Sequence, residues 1–349
     1  MLYCAKKIIK INICKTNYFI TSKNYNNSKK LLLLFNILLL ILYNILINNI
    51  KKDDFYLFDS VSNKKDYIAS KFIIIKRSCS ICGLFSFFIV HLGCIHRYLL
   101  EGYIPIVDIK SIPTSINGYN TSKSNYWELF FEQPFGYNLD NVLKYAKNIT
   151  YITIDDCVPR PDDMTMIYNY PSIQFWHNFA RKFMSIKREI IDLSKKIMYK
   201  LFKNSKNILG VLARGTDYIS IKPKGHPIPP NLMELIHDVK EMDNLYNYDY
   251  IFFSTEDEMI RDIFAKIFLN KVKQIRPRKK INYDYIKKDY LNNNELIQGN
   301  IEFNKIYLLN IIILSKCLDI IAARCSGTAG IFVLTNGFRN IKIYNKGVY

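Results

Sequence analysis

Three short polar clusters each follow directly on an apolar run. They are Arg214-Gly-Thr-Asp217 after Ile208–Leu212, Ser254-Thr-Glu-Asp257 after Tyr250–Phe253, and Arg324-Cys-Ser-Gly-Thr328 after Asp319–Ala322. Arginine makes bidentate, charge-assisted contacts with phosphate oxygens, so Arg214 is the natural grip for a diphosphate. Ser326, Gly327 and Thr328 would open a helix, whose free N–H groups and positive dipole end favour an anion. Gly327 and Gly330 would let a phosphate approach the backbone closely. Asp217 is placed to orient Arg214 or its loop, and Thr255 and Asp257 suit a ribose hydroxyl or a base. The same residues also read as ordinary N-caps, Ser326 on one helix and Thr255 or Asp257 on another. Each cluster alone is a weak signal; three at successive strand ends predict a nucleotide diphosphate site. His226, between Gly225 and Pro227 in a Lys-Pro-Lys-Gly-His-Pro loop soon after Arg214, is a further donor contact or a structural histidine.

The elements that must position these clusters alternate in type. Lys71–Lys76 reads as a strand, Leu84–Leu100 as a helix, Tyr103–Ile109 as a second strand and Ile149–Ile154 as a third. Phe175–Phe202 has helical periodicity and could bridge two halves. From Asn207 the alternation sharpens. Strands are expected at Ile208–Leu212, Tyr250–Phe253, Val272–Ile275, Asp319–Ala322 and Ile341–Tyr344. Helices are expected at Asn231–Met242, from Glu258, at Glu302–Ser315 and after Cys325. Strands alternating with helices imply parallel, doubly wound sheets, here in two sets. Ligands of such sheets bind beyond the carboxyl ends of the strands, where the three clusters stand.

The chain has 349 residues, nearly half of them apolar or aromatic, which is enough for two domains with real cores. Its formal charge of +19 accompanies a general excess of Lys, Asn, Ile and Tyr, and no nucleic-acid-binding signature is present, so no nucleic-acid partner is expected. Eight cysteines form no regular framework. Cys79-Ser-Ile-Cys82 has no second pair at zinc spacing, and small buried residues in a strand-to-helix turn are expected there. Leu31–Ile47 is seventeen residues without a charge, preceded by seven lysines. At about 1.5 Å per residue it spans roughly 25 Å, the short end for a membrane helix. The lysines keep the N-terminus cytoplasmic, making a single-pass type II protein. The expected organisation is a basic tail (1–30), an anchor (31–50), a stalk (51–68), an N-terminal domain (69–205) and a C-terminal domain (206–349). An amphipathic tail on a cytosolic protein is the alternative for the first segment. Asn120 and Asn148 stand in glycosylation sequons.

Residues 207–349, and more loosely 70–349, resemble the fucosyltransferase-like glycosyltransferases. The likeness rests on Gly210–Asp217, the Lys-Pro-Lys-Gly-His-Pro loop, the Ser-Thr-Glu-Asp strand end and the C-terminal Ala-Arg-Cys-Ser-Gly-Thr-Ala-Gly. It implies a GT-B fold, two Rossmann-like domains facing a cleft, with a nucleotide sugar, typically GDP-fucose, held by the C-terminal one. Arg214 and Asp217 match the family's His-x-Arg-x-x-Asp motif, and Leu212 stands where that motif has histidine. Asn310 falls where the family often has an acidic residue. No Asp-x-Asp is present, the pair that metal-dependent transferases use, so no metal is expected. Leaving-group charge would fall to arginine and a helix terminus. Removing the proton of a glycan or protein hydroxyl needs a base. Glu128 and Glu132, in Trp127-Glu-Leu-Phe-Phe-Glu-Gln-Pro134, and Asp108 are the candidates. A non-catalytic carbohydrate- or nucleotide-binding protein on the same scaffold is the alternative, as is transfer from another nucleotide sugar.

Overall fold

A computed structural model describes residues 66–79, 82–114, 116, 124–154, 160–161, 169–214, 219, 222, 224–275 and 295–349. The expected tail and anchor, nearly all of the stalk, and also Asp217, Asn120 and Cys157, lie outside the described residues. Among the described residues no helix is long and apolar enough to cross a membrane. Asp66–Tyr349 forms one compact unit.

The first sheet is built from β1 (Lys71–Arg77), β2 (Ile104–Val107) and β3 (Asn148–Ile154), all parallel in the order β2-β1-β3. The β-branched run Ile73-Ile74-Ile75 is buried on both sides, as a central parallel strand requires. The outer edge of β2 has no fourth strand. Side-chain amides cover it instead: Gln133 exchanges hydrogen bonds with the N–H and carbonyl of Val107, and Asn125 donates to the same carbonyl and accepts from the N–H of Ile109. Helix α1 (Leu84–Leu100) is apolar on all faces because it is buried on nearly all of them. His91 lies inside it, and burial lowers its pKa to about 4, so the ring is neutral at pH 7. Cys79 and Cys82 are not small buried thiols in the β1–α1 turn. They form a disulfide across it, with Cα atoms 5.6 Å apart.

Helices α2 (Leu139–Tyr145), α3 (Tyr170–Phe183) and α4 (Arg188–Phe202) follow. The periodic stretch 175–202 is thus two helices rather than one. The break at Met184–Lys187 has a hydrogen-bonding cause: Ser185 accepts from Glu132 N–H at 2.8 Å, and Lys187 N–H donates to Phe130 at 3.0 Å. Ile186 forms an antiparallel bridge with Phe131. The aromatic segment therefore captures the linker backbone that a continuous helix would have kept for itself.

The second sheet contains β4 (Ile208–Ala213), β5 (Tyr250–Thr255), β6 (Val272–Lys273), β7 (Asp319–Ala323) and β8 (Ile341–Tyr344). All are parallel, in the order β6-β5-β4-β7-β8. Helices α5 (Leu232–Tyr246) and α6 (Glu258–Phe268) cover one face, where Leu209, Val211, Val239, Phe253 and Phe264 form the core. Helix α7 (Glu295–Leu314) packs on β4, α4 and the last helix, α8 (Ser326–Leu334). Gly210 allows that approach: a Cβ there would stand 3.0–3.1 Å from Ile320, Cys317 and Leu314. Helix α8 also packs on α1 and α3, joining the two halves.

Candidate functional site

The strand order fixes where the clusters meet. The chain leaves β4 toward β5 on one side, and β7 lies on the other, so β4 and β7 flank the point where the winding direction reverses. At such a point the loops diverge and leave a crevice beyond the carboxyl ends. Register places Ala213 beside Thr255 and Leu212 beside Ala322. Arg214, Glu256 and the head of α8 therefore emerge from the same edge of the sheet.

Arg214 Nη1 donates to Glu256 Oε1 at 2.5 Å, and the two side chains are only 21% and 17% exposed. Glu256 thus holds the guanidinium over the strand ends, in surroundings that strengthen charge interactions. Arg261, one turn into α6, donates to the carbonyl of Thr255 at 3.1 Å. Asp257 takes the capping alternative, its Oδ1 accepting from Ile260 N–H at 3.0 Å. Thr255 Oγ1 accepts from the N–H of Asp257 at 3.2 Å.

The head of α8 departs from expectation in detail. Cys325, not Ser326, is the N-cap, and it makes no side-chain capping bond. Ser326 is exposed on the first turn. Thr328 is buried and donates to the carbonyl of Ala323, so its hydroxyl is committed inward. The glycines serve packing rather than phosphate approach. A Cβ on Gly327 would stand 2.3 Å from the Tyr307 hydroxyl, and one on Gly330 would stand 2.2 Å from the Phe85 ring.

A cavity with about 40 Å³ of free space opens between these strand ends and α7. Leu212, Arg214, Ser254, Glu256, Tyr307 and Asn310 are among its lining residues, with Thr255 and Arg261 beside them. Of the residues singled out from sequence, Arg214 and Thr255 line this cavity. Asp257 and the head of α8 stand at neighbouring strand ends. Glu256, Arg261, Tyr307 and Asn310 were not anticipated as site residues. Glu256 had a signal in its place next to Thr255; the others depend on helix packing.

The remaining residues lie elsewhere. Glu128 Oε1 accepts from Leu139 N–H at 2.8 Å, Gln133 Nε2 at 3.1 Å and Asn125 Nδ2 at 3.3 Å. It thereby binds the first turn of α2 to the amides that cover β2. Glu132 is half exposed and pairs with Lys187 at 2.9 Å. Asp108 is buried, accepting from the N–H groups of Lys110 and Ser111 and pairing with Lys76 at 3.6 Å. His226 is exposed, and its carbonyl accepts from Tyr349 N–H at 3.0 Å within a clasp that ties its loop to the last residues.

No family model matches the chain, and no curated protein sequence matches it. Solved structures do match. A crystal structure of the NodZ α-1,6-fucosyltransferase soaked with GDP-fucose superposes with a TM-score of 0.50 at 14% identity, over 76% of this chain and 93% of that one. The selenomethionine form of fucosyltransferase NodZ from Bradyrhizobium gives a TM-score of 0.50 at 13% identity, over 80% and 98% of the two chains. A crystal structure of POFUT1 in complex with GDP is also similar, with a TM-score of 0.45 at 10% identity over 80% and 99%. The parallel-sheet α/β fold of this chain is the fold of these fucosyltransferases.

Proposed function

We propose that this chain, folded as the fucosyltransferases are, is a glycosyltransferase that moves fucose from GDP-fucose to a hydroxyl of a glycan or protein, with inversion and without a metal ion. One observation carries the reading: Arg214, held by Glu256 at the end of the central strand β4, lines a cavity at the point where the sheet reverses its winding. A guanidinium there offsets the charge that grows on a departing nucleoside diphosphate. The uncapped first turn of α8 adds backbone N–H groups nearby, and Asp217 belongs to the loop that follows Arg214. In an inverting displacement the acceptor oxygen attacks the anomeric carbon opposite the diphosphate, and a base removes its proton. Glu132 suits that role better than Glu128, whose Oε1 already serves three donors.

Residues 69–205 then form the acceptor domain and 206–349 the donor domain, each carrying one sheet. Residues 31–50 anchor a type II protein whose folded part faces a secretory lumen. The Cys79–Cys82 disulfide supports that location, since such bonds persist in oxidising compartments.

The test is GDP release from GDP-fucose by the full chain over a panel of glycan and peptide acceptors. Arg214→Ala is expected to lower turnover by about 10²–10³-fold, the usual loss when an oxyanion-stabilising donor is removed. A folded chain with no affinity for any nucleoside diphosphate sinks the reading. A second reading, a non-catalytic nucleotide- or carbohydrate-binding protein, is favoured by the structural commitment of Glu128 and Asp108. It is distinguished by GDP-fucose binding without transfer and by indifference to Glu132→Gln.

A further inference from the structure

One polar side chain in the cavity has no role in holding the fold. Asn310 is 8% exposed, and its Oδ1 is buried without a hydrogen-bond partner. Its neighbours along α7 (Leu308, Leu309, Ile311, Ile312, Ile313 and Leu314) are all buried and apolar. A leucine at 310 would therefore suit the helix better, because a buried amide oxygen without a donor is costly. Asn310 lines the same cavity as Arg214, with Leu212 and Ile306 as apolar flanks. An unsatisfied acceptor between apolar walls, opposite a phosphate-binding cation, is suited to the polar edge of a flat ring.

We propose that the Asn310 carboxamide reads the base of the donor nucleotide, and that its neutrality makes the site weakly selective between guanine and uracil. This rests on the nucleotide-sugar reading above. An amide presents one acceptor oxygen beside an NH₂ donor. Guanine, through N1–H and O6, and uracil, through N3–H and O4, both complement that pair. A carboxylate in the same place would accept two adjacent N–H groups, which guanine offers and uracil does not.

The experiment is calorimetric titration of the full chain with GDP and with UDP, for the natural protein, Asn310→Asp, Asn310→Leu and Arg214→Ala. The two nucleotides are expected to bind the natural protein within about tenfold of each other. Asn310→Asp is expected to raise the preference for GDP by about tenfold or more, the difference between a neutral and a charge-assisted hydrogen bond. Asn310→Leu is expected to weaken both nucleotides by about five- to tenfold while its thermal transition stays intact or rises. Unchanged affinities in Asn310→Leu, or an unchanged ratio in Asn310→Asp, overturn the inference and leave the donor site standing if Arg214→Ala still loses binding. Failure of the natural protein to bind either nucleotide overturns the donor site and this inference together.

Discussion

At the residue scale, several groups owe their identity to a single contact. Gly330 faces the buried Phe85 ring, and a methyl group 2.2 Å from that ring has no flexible chain end to displace. Overpacking of this kind costs about 1–3 kcal/mol, against a gain of up to about 1 kcal/mol from replacing a helical glycine by alanine. Gly330→Ala should therefore lower the urea midpoint, and adding Phe85→Leu should recover part of the loss; additive effects of the two would show that they do not touch. Asp319 is fully buried and accepts hydrogen bonds from Arg339, Tyr248 and the N–H of Asn340. Burial by itself would raise its pKa, but these hydrogen bonds together hold it below the ordinary value. A carboxylate depressed in the folded state contributes stability above the unfolded pKa of about 3.9, and that contribution is lost as pH falls through the lower folded value. Asp319→Asn should thus be destabilised at pH 7 by about 3 kcal/mol, the low end for breaking a buried pair because Arg339 is 41% exposed. Its stability should vary less than the natural protein's below pH 4, as denaturant titrations at several pH values would reveal.

At the element scale, most of the strand and helix positions were legible because their signals are local. The run at Leu84–Leu100 is a helix over that same span, and Ile341–Tyr344 is a strand as read. What periodicity could not reveal was the interruption at Met184–Lys187, since the bonds that cause it come from residues 130–132, over fifty positions away. The loop at 224–228 is a similar case. Its prolines suggested stiffness, but what holds it is pairing with the last residues: Gly225 N–H donates to Tyr349, Tyr349 N–H to His226 and Ile228 N–H to Gly347, each at 3.0 Å. Removing residues 346–349 should expose the Lys224–Gly225 bond to trypsin, with cleavage about tenfold faster in a mass-spectrometric time course, as expected when a loop loses the bonds that order it. An unchanged rate would mean that the clasp contributes nothing to the loop's order.

At the scale of the whole molecule, the proposed lumenal placement can be checked on the folded surface. Asn148, in its sequon, is exposed at the start of the edge strand β3, where an enzyme could reach it. Expressed through a secretory pathway, the chain should carry an N-glycan at this position, visible as a mobility shift that glycosidase treatment or Asn148→Gln removes. A chain that stays unmodified there while its Cys79–Cys82 pair is reduced would argue for a reducing compartment.

The amino-acid sequence by itself determined the alternation of strands and helices, the parallel two-set architecture and the polar clusters at strand ends. These follow from hydrophobic periodicity and from the few residue types tolerated where an apolar strand stops. Only the tertiary structure decided what each polar group does. Arg214 finds Glu256 across 42 positions, Glu128 is spent on bracing the edge of β2, and Gly327 and Gly330 yield their space to Tyr307 and Phe85 rather than to a ligand. The reason is physical: a side chain's partners are set by which elements pack side by side, and that depends on burial summed over the whole core rather than on neighbours along the chain.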